Sequence, residues 1–166
     1  MVVDIHRMRM TELERVVQLV NKTNQFNLTT KRYTQAEVEG LAFSPENAIY
    51  VVYNSDKYGD NGLIGVVVLK EKGNEVFIDS FLMSCRVMGR KCEDVIVNEL
   101  ANRYHSKKLV GEYIPTAKNV PVKDLYERLG FTKVSDESGH KIYELTNYQK
   151  RNFDIYKKIR FDENED

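Results

Sequence analysis

Tryptophan is absent from this chain of 166 residues, cysteine occurs twice, proline three times, and net charge is missing altogether, with 25 Lys and Arg against 25 Asp and Glu. Each shortage excludes something. Balanced charge, with no basic stripe interleaved with stacking aromatics, leaves no footprint for nucleic acid. Cys85 and Cys92 have six residues between them and no matching His pair. That fits neither a zinc site nor a disulfide framework, so no metal is expected and a reducing cytoplasm is the expected compartment. The longest apolar runs are far too short to span a bilayer, and no apolar signal segment opens the sequence, so no membrane association is expected.

What is present fits one domain with a sizeable core. Val2–Arg9 alternates as a strand, and Thr11 offers an N-cap for a helix carrying Leu13, Val16, Val17, Leu19 and Val20. Thr34-Gln-Ala-Glu37 reads as a capping box opening a short helix to about Phe43. Ile49–Tyr53, Leu63–Lys70 and Phe77–Met83 read as three adjacent antiparallel strands. A long amphipathic helix follows, with Val95, Ile96, Leu100 and Tyr104 on one stripe and Glu93, Asp94, Asn98 and Glu99 around it. Lys108–Pro115 is another apolar strand, so the helix should connect two parallel strands with right-handed sense. Phe131–Asp136 and Lys141–Thr146 close the sheet. Residues 147–166 form a charged tail, expected to be partly helical or disordered. His6 is expected at an exposed or half-buried strand position, and His105 and His140 as solvated edge residues.

The stretch Asp79–Glu93, DSFLMSCRVMGRKCE, organises the rest. It reads as strand, sharp loop and helix start, a geometry that aims backbone N–H groups and a helix dipole at one point and so cradles anions, phosphate above all. Arg86-x-x-Gly89-x-Lys91 resembles the R/Q-x-x-G-x-G/A signature of the GNAT acetyltransferase superfamily, with Lys91 in the place of the last small residue. Asn119-Val-Pro-Val122-Lys-Asp-Leu125-Tyr126-Glu-Arg-Leu-Gly130-Phe131 resembles that family's N-x-x-A-x-x-L-Y-x-x-x-G-F pattern, with Val122 for alanine. The resemblance implies an α/β (α+β) GNAT fold: one mixed, mostly antiparallel sheet of about seven strands with a central parallel strand–helix–strand unit and flanking helices. It further implies that the two parallel strands splay and that the pantetheine arm of acetyl-coenzyme A or another acyl-coenzyme A enters between them like a substitute strand. Backbone groups of Phe81, Leu82 and Met83 would bond the arm, and Arg86, Val87, Met88, Gly89, Arg90 and Lys91 would hold the phosphates, with Asn119 nearby. The side chain of Lys91 either crowds the cofactor or lies outward.

The stretch Thr23–Tyr33, TNQFNLTTKRY, is rich in amides and hydroxyls that favour ordered loops. It is either a well-capped connector or the polar wall of a substrate pocket, where Asn24, Gln25, Asn27 and Arg32 grip an acceptor or acyl group. With YGDNGLIGVVVL, DSFLMSCRVMGR and IPTAKN, it is similar to the C-terminal domain of the FkbH-like proteins over residues 1–146. In that family a HAD-type phosphatase domain precedes a GNAT-like domain, and the whole enzyme loads a glyceryl unit onto an acyl carrier protein. No Asp-x-Asp pair occurs here, so phosphatase chemistry is excluded.

Acyl transfer from a thioester needs a deprotonated acceptor, a polarised carbonyl and a proton for the leaving thiolate. Tyr126 matches the position at which many GNAT enzymes place a general acid, and a phenol with a reference pKa of about 10 is protonated at neutral pH. Its alternative is a packed core residue. Asp79, placed by strict alternation on the face of Phe81 and Met83, is either a base or a structural carboxylate. Cys85 lies beside Arg86, Arg90 and Lys91, whose positive potential favours a thiolate, so it is either an acyl-carrying nucleophile or a packing residue. Cys92 is read as packing. Three functional readings follow: an acyltransferase using a small-molecule acceptor; a non-catalytic module that docks the phosphopantetheine of an acyl carrier protein; and a structural domain that pairs as a homodimer.

Overall fold

In the computed structural model, which describes residues 1–87, 91–156 and 158–162, the alternating residues of Val2–Arg7 form β1. The other strands are β2 (Asn47–Asp56), β3 (Gly59–Lys72), β4 (Glu75–Met83), β5 (Lys108–Tyr113), β6 (Thr132–Glu137), β7 (His140–Leu145) and β8 (Lys158–Asp162). They make one sheet in the order β6-β7-β5-β4-β3-β2-β1-β8. Neighbours run antiparallel except β4 with β5 and β1 with β8. The helices are α1 (Leu13–Lys22), α2 (Gln35–Phe43), α3 (Cys92–Arg103) and the short α4 (Leu125–Arg128).

The capping box forms as the spacing predicts. Glu37 N–H donates to Thr34 Oγ1 at 3.1 Å, and Thr34 N–H to Glu37 Oε1 at 3.0 Å. Thr11 is not a cap; a 3-10 turn over Met10–Glu12 precedes α1, and Glu12 Oε1 accepts from Arg9 N–H at 2.8 Å. The same carboxylate takes His6 Nε2 at 2.9 Å, so His6 is buried, stacked on Tyr53, rather than at a solvated strand position.

Two apolar layers lie against the sheet. On one face Leu13, Val16, Leu19, Val20 and Val38 of α1 and α2 pack on Val51, Val66, Val68 and Leu82. On the other, Val95, Ile96 and Leu100 of α3 and Leu125, Tyr126 and Leu129 near α4 pack on Val67, Phe81, Met83 and Tyr143.

Instead of leaving a solvated stripe, α3 is buried all round, Glu93, Asp94, Asn98 and Glu99 included. Arg128 pairs with Glu93 and Asp94, and the tail covers Asp94, Asn98 and Glu99. Asn98 Oδ1 accepts from Arg151 N–H at 2.8 Å and from Tyr148 OH, while its Nδ2 donates to Arg151 C=O at 2.8 Å. Lys150 approaches Glu99 at 3.6 Å and Arg151 approaches Asp94 at 3.8 Å. The tail then reaches the far edge of the sheet, where Phe161 of β8 packs against the Tyr50 ring. Residues 158–162 are therefore strand, not the helix or disorder expected of them; 163–166 lie outside the described residues.

Candidate functional site

β4 and β5 pair from Glu75↔Lys108 to Ile78↔Gly111 and then part. The cause lies in β4. Its register with β3 runs Val68↔Ser80 and then Leu69↔Ile78, which leaves Asp79 as an extra residue. Such a bulge bends its strand and re-aims the side chain. Asp79 consequently shares a face with Phe77 and Ser80, and Tyr33 OH reaches both Asp79 Oδ2 (2.5 Å) and Ser80 Oγ (2.9 Å). Phe81 and Met83 point the other way, into the core beneath α3. Strict alternation put Asp79 on their face; the bulge overturns that.

On the Asp79 side lies an open cleft of about 800 Å³, floored by Phe77, Val110 and Ile142 and edged by Lys70, Asp79 and Glu112. Lys31 Nζ donates to Asp79 Oδ1 at 2.8 Å and to Glu112 Oε1 at 3.2 Å, and Lys70 Nζ stands 3.6 Å from Asp79. His140 Nε2 is 2.7 Å from the other oxygen of Glu112. Burial pushes the Asp79 carboxyl up, but Lys31, Tyr33 and Lys70 together hold it below the usual carboxylate range. Burial pulls Lys31 down, and its two carboxylates outweigh that, so it stays a cation. Tyr33 is raised by burial and by Asp79. An ionised carboxylate so engaged is a weak proton acceptor, and Asp79 serves as an anchor more readily than as a base. Glu112 and His140 at the mouth of the cleft are the better-placed pair for moving a proton. Neither was expected in the site: the sequence places His140 as a solvated edge residue, and for Glu112 a lone acid in the apolar run Lys108–Pro115 is the signal.

Across the seam, Tyr126 is fully buried beside Gly111, the last β5 residue paired with β4. A Cβ on Gly111 would lie 2.8 Å from two atoms of the Tyr126 ring, so only glycine admits that approach. Phe131 and Tyr143 hold the ring from other sides, with centroids 4.9 and 5.6 Å away. The Tyr126 hydroxyl has no partner among the described residues. Burial, helped by the Glu112 charge, raises its pKa, so the phenol is neutral and keeps its proton.

The remaining predicted residues separate into distinct groups. The backbone edge of Phe81 and Met83 is engaged within the chain: Leu28 N–H donates to Phe81 C=O at 3.1 Å, and Met83 N–H to Phe26 C=O at 3.0 Å. Leu82 bridges Asn27 and buries its side chain beneath α1. Asn119 is buried and uses its side chain internally, accepting from Thr116 N–H (2.8 Å) and Tyr113 OH (3.0 Å) and donating to Asn27 C=O and Ile114 C=O (2.9 Å each). It is a joint of the fold rather than a free cofactor ligand. Arg32 closes the end of α1 through Val20 C=O (2.7 Å) and Thr23 C=O (2.9 Å) and bonds Asn24 Oδ1. Asn27 caps its own loop through Thr23 C=O and Thr30 N–H. Asn24, Asn27 and Arg32 thus form the capped connector, not a pocket wall, because the loop's own backbone groups take their side chains first. Gln25 is exposed, and Cys85 Sγ donates to its Oε1 at 3.1 Å. Cys92 is buried, which pushes its thiol up to about 12. Arg86 is exposed and bonds Ser84 Oγ, and Val87 is buried. Lys91, in a left-handed conformation (φ 57°) at the entrance of α3, is exposed, so its side chain lies outward. Met88, Gly89 and Arg90 lie outside the described residues.

No family model matches the chain, and no curated protein matches it in sequence. Solved structures do match in fold. An acetyltransferase from Thermus thermophilus superposes with a TM-score of 0.66 at 12% identity, over 87% of this chain and 97% of the other. The spermidine N-acetyltransferase from Vibrio cholerae, in complex with CoA and spermine, gives 0.62 at 15% identity over 86% and 92%. The ribosomal-protein-S18-alanine N-acetyltransferase from Escherichia coli gives 0.62 at 10% identity over 86% and 90%. The mixed sheet with its parting central strands is the GNAT N-acetyltransferase fold.

Proposed function

We propose that the chain is an acyl-CoA-dependent acyltransferase, most simply an N-acyltransferase, which takes the thioester arm between the parted ends of β4 and β5 and the acceptor in the cleft over Phe77, Val110 and Ile142. The observation that carries this reading is the buried Tyr126 hydroxyl, without a partner among the described residues, at the point where the strands separate. A bound acyl thioester supplies the activated carbonyl. Tyr126, kept neutral by burial, donates the proton that the departing sulfur needs. Glu112, with His140 behind it, takes a proton from the acceptor. Lys31, Tyr33 and Asp79 fix the geometry of the cleft side of the seam. Arg86 and Lys91 hold the phosphates at the entrance of α3.

The test is calorimetric titration with acetyl-coenzyme A beside an amine-acceptor screen. Tyr126→Phe should lower turnover by about 10²–10⁴-fold with binding intact, and unchanged turnover removes Tyr126 from the mechanism. Arg86→Ala should weaken binding; if it does not, the phosphate loop is misassigned.

A second reading has its own support. Glu93 and Asp94 crowd the first turn of α3, and Glu93 Oε2 is buried without a partner among the described residues. Negative charge there suits the single phosphate of a carrier-protein arm better than the pyrophosphate of coenzyme A. In this reading the chain is a FkbH-like module that docks a phosphopantetheinylated acyl carrier protein and works with a separate phosphatase. Thermal protection by the loaded carrier but not by coenzyme A would favour it.

A further inference from the structure

Between the parted ends of β4 and β5 the chain has inserted a strand of its own. Residues 26–28 lie antiparallel to β4, with Asn27 opposite Leu82. The far edge of the insert is bonded too: Ile114 N–H, just past β5, donates to Leu28 C=O at 2.9 Å, and Asn119 Nδ2 donates to Asn27 C=O. Side chains alternate as in any internal strand. Phe26 and Leu28 join Phe81, Met83 and Leu125 in the core, and the Phe26 ring meets Phe81 edge-on with centroids 5.5 Å apart. Phe26 also floors a cavity of about 250 Å³ between α3 and α4, whose walls include Glu93, Val122, Leu125 and Arg128.

A thioester arm is an amide-bearing chain, and strand addition requires the sheet's edge groups. On this seam those groups are Phe81 C=O, Met83 N–H and Ile114 N–H, and residues 26–28 hold all three. Two chains cannot share them. The insert is also under strain. Thr30, two residues on, is β-branched yet has φ 55°, in the left-handed region that such residues avoid, and its hydroxyl is buried without a partner among the described residues. A short segment bonded on both sides and strained at its exit has the make-up of a part that moves.

We infer that residues 26–28 are a strap that stands in the place of the thioester arm, and that the arm enters by displacing it. This rests on the acyltransferase reading. In the closed form the seam is sealed and Tyr126 is shut away from solvent; in the open form the three edge groups and the space held by Phe26 pass to the arm. Only the open fraction binds, so closure lowers apparent affinity by that fraction.

The strap can be locked. Asn27 and Leu82 form a non-hydrogen-bonded antiparallel pair, flanked by the Leu28–Phe81 and Met83–Phe26 bonds, a spacing that admits a disulfide. In a Cys85→Ser background, Asn27→Cys with Leu82→Cys is titrated with coenzyme A, oxidised and then reduced, beside Phe26→Ala, which removes the strap's anchor. Binding by the reduced form and none by the oxidised form is the expected result, with Phe26→Ala about tenfold tighter than the parent because its open fraction rises. Binding seen only in Phe26→Ala supports the strap equally. Equal binding by both redox forms overturns the strap and leaves the acyltransferase reading standing. If neither form nor Phe26→Ala binds, the acyltransferase reading falls and the strap with it. Should the double cysteine variant not fold, Phe26→Ala decides alone: tighter binding supports the strap, unchanged or weaker binding overturns it.

Discussion

Gly40→Ala and Gly111→Ala make the same chemical change, and the structure sends them in opposite directions. Gly40 lies on the exposed side of α2, where an added Cβ meets nothing within 4 Å. Alanine there removes backbone freedom from the unfolded chain and should stabilise by about 0.5–1 kcal/mol. Gly111 offers a similar backbone gain, but its Cβ would lie 2.8 Å from the Tyr126 ring. That ring is fully buried between Phe131 and Tyr143 and has nowhere to go. Overpacking of this kind costs about 1–3 kcal/mol, which outweighs the gain and leaves a net loss of up to about 2.5 kcal/mol. In a chain of this size each kcal/mol moves the melting temperature by about 2–4 °C. Calorimetric melting should therefore rise by about 1–4 °C for Gly40→Ala and fall by up to about 10 °C for Gly111→Ala. The cause is checked by a cycle with Tyr126→Ala: without the ring, Gly111→Ala should cost less than about 0.5 kcal/mol, a coupling well within the range of contacting pairs. Gly111→Ala melting at or above wild type, or costing as much in the Tyr126→Ala background, would refute the account of why β5 carries glycine there.

Three other outcomes follow from the same contacts. The folded pKa of Asp79 is depressed, so its ionised form contributes stability that is complete above the unfolded carboxylate value of about 4 and is lost as pH falls through the folded value; Asp79→Asn should flatten the acid limb of melting temperature against pH, and an unchanged limb would count against the Lys31–Asp79–Tyr33 cluster. Asn98→Ala removes the side chain that pins the Arg151 backbone and Tyr148 to α3, at a cost of about 1–3 kcal/mol; trypsin should then cut at Lys150 and Arg151 well before the core, whereas wild-type resistance would show that β8 alone holds the tail. Cys85 is exposed, while Cys92 is buried with its thiol pushed up to about 12, so a thiol reagent at pH 8 should titrate one cysteine in the native protein and two in denaturant; two fast thiols in the native state would mean that α3 is not covered by the tail.

Some features were legible because they are written within a few residues. Thr34 and Glu37 are three apart, and their reciprocal bonds form as the spacing requires. Gly130 ends the helical turn after α4 with φ 95°, a left-handed conformation that glycine adopts freely at a helix end. The face of Asp79 was not legible, since alternation holds only while the ladder is regular and the bulge depends on which β3 residues sit opposite. Nor was the burial of Glu93, Asp94, Asn98 and Glu99, whose covering partners, Arg128 and the tail at Lys150 and Arg151, lie far along the chain. Glu112 and His140 meet across paired strands, a contact that no window of either segment contains.

By itself the sequence determined the order of β1 to β7 and of α1 to α3 and the parallel connection through α3, because the periodicity, caps and turn residues that set them act locally. Tertiary structure alone decided what those residues face. It buried the Tyr126 phenol against Gly111, turned Asp79 to the open cleft, brought Lys31 between two carboxylates, laid the tail over α3, and set Phe26–Leu28 in the seam between β4 and β5. Each of these rests on contacts between groups far apart in the chain, which only the closing of the sheet brings together.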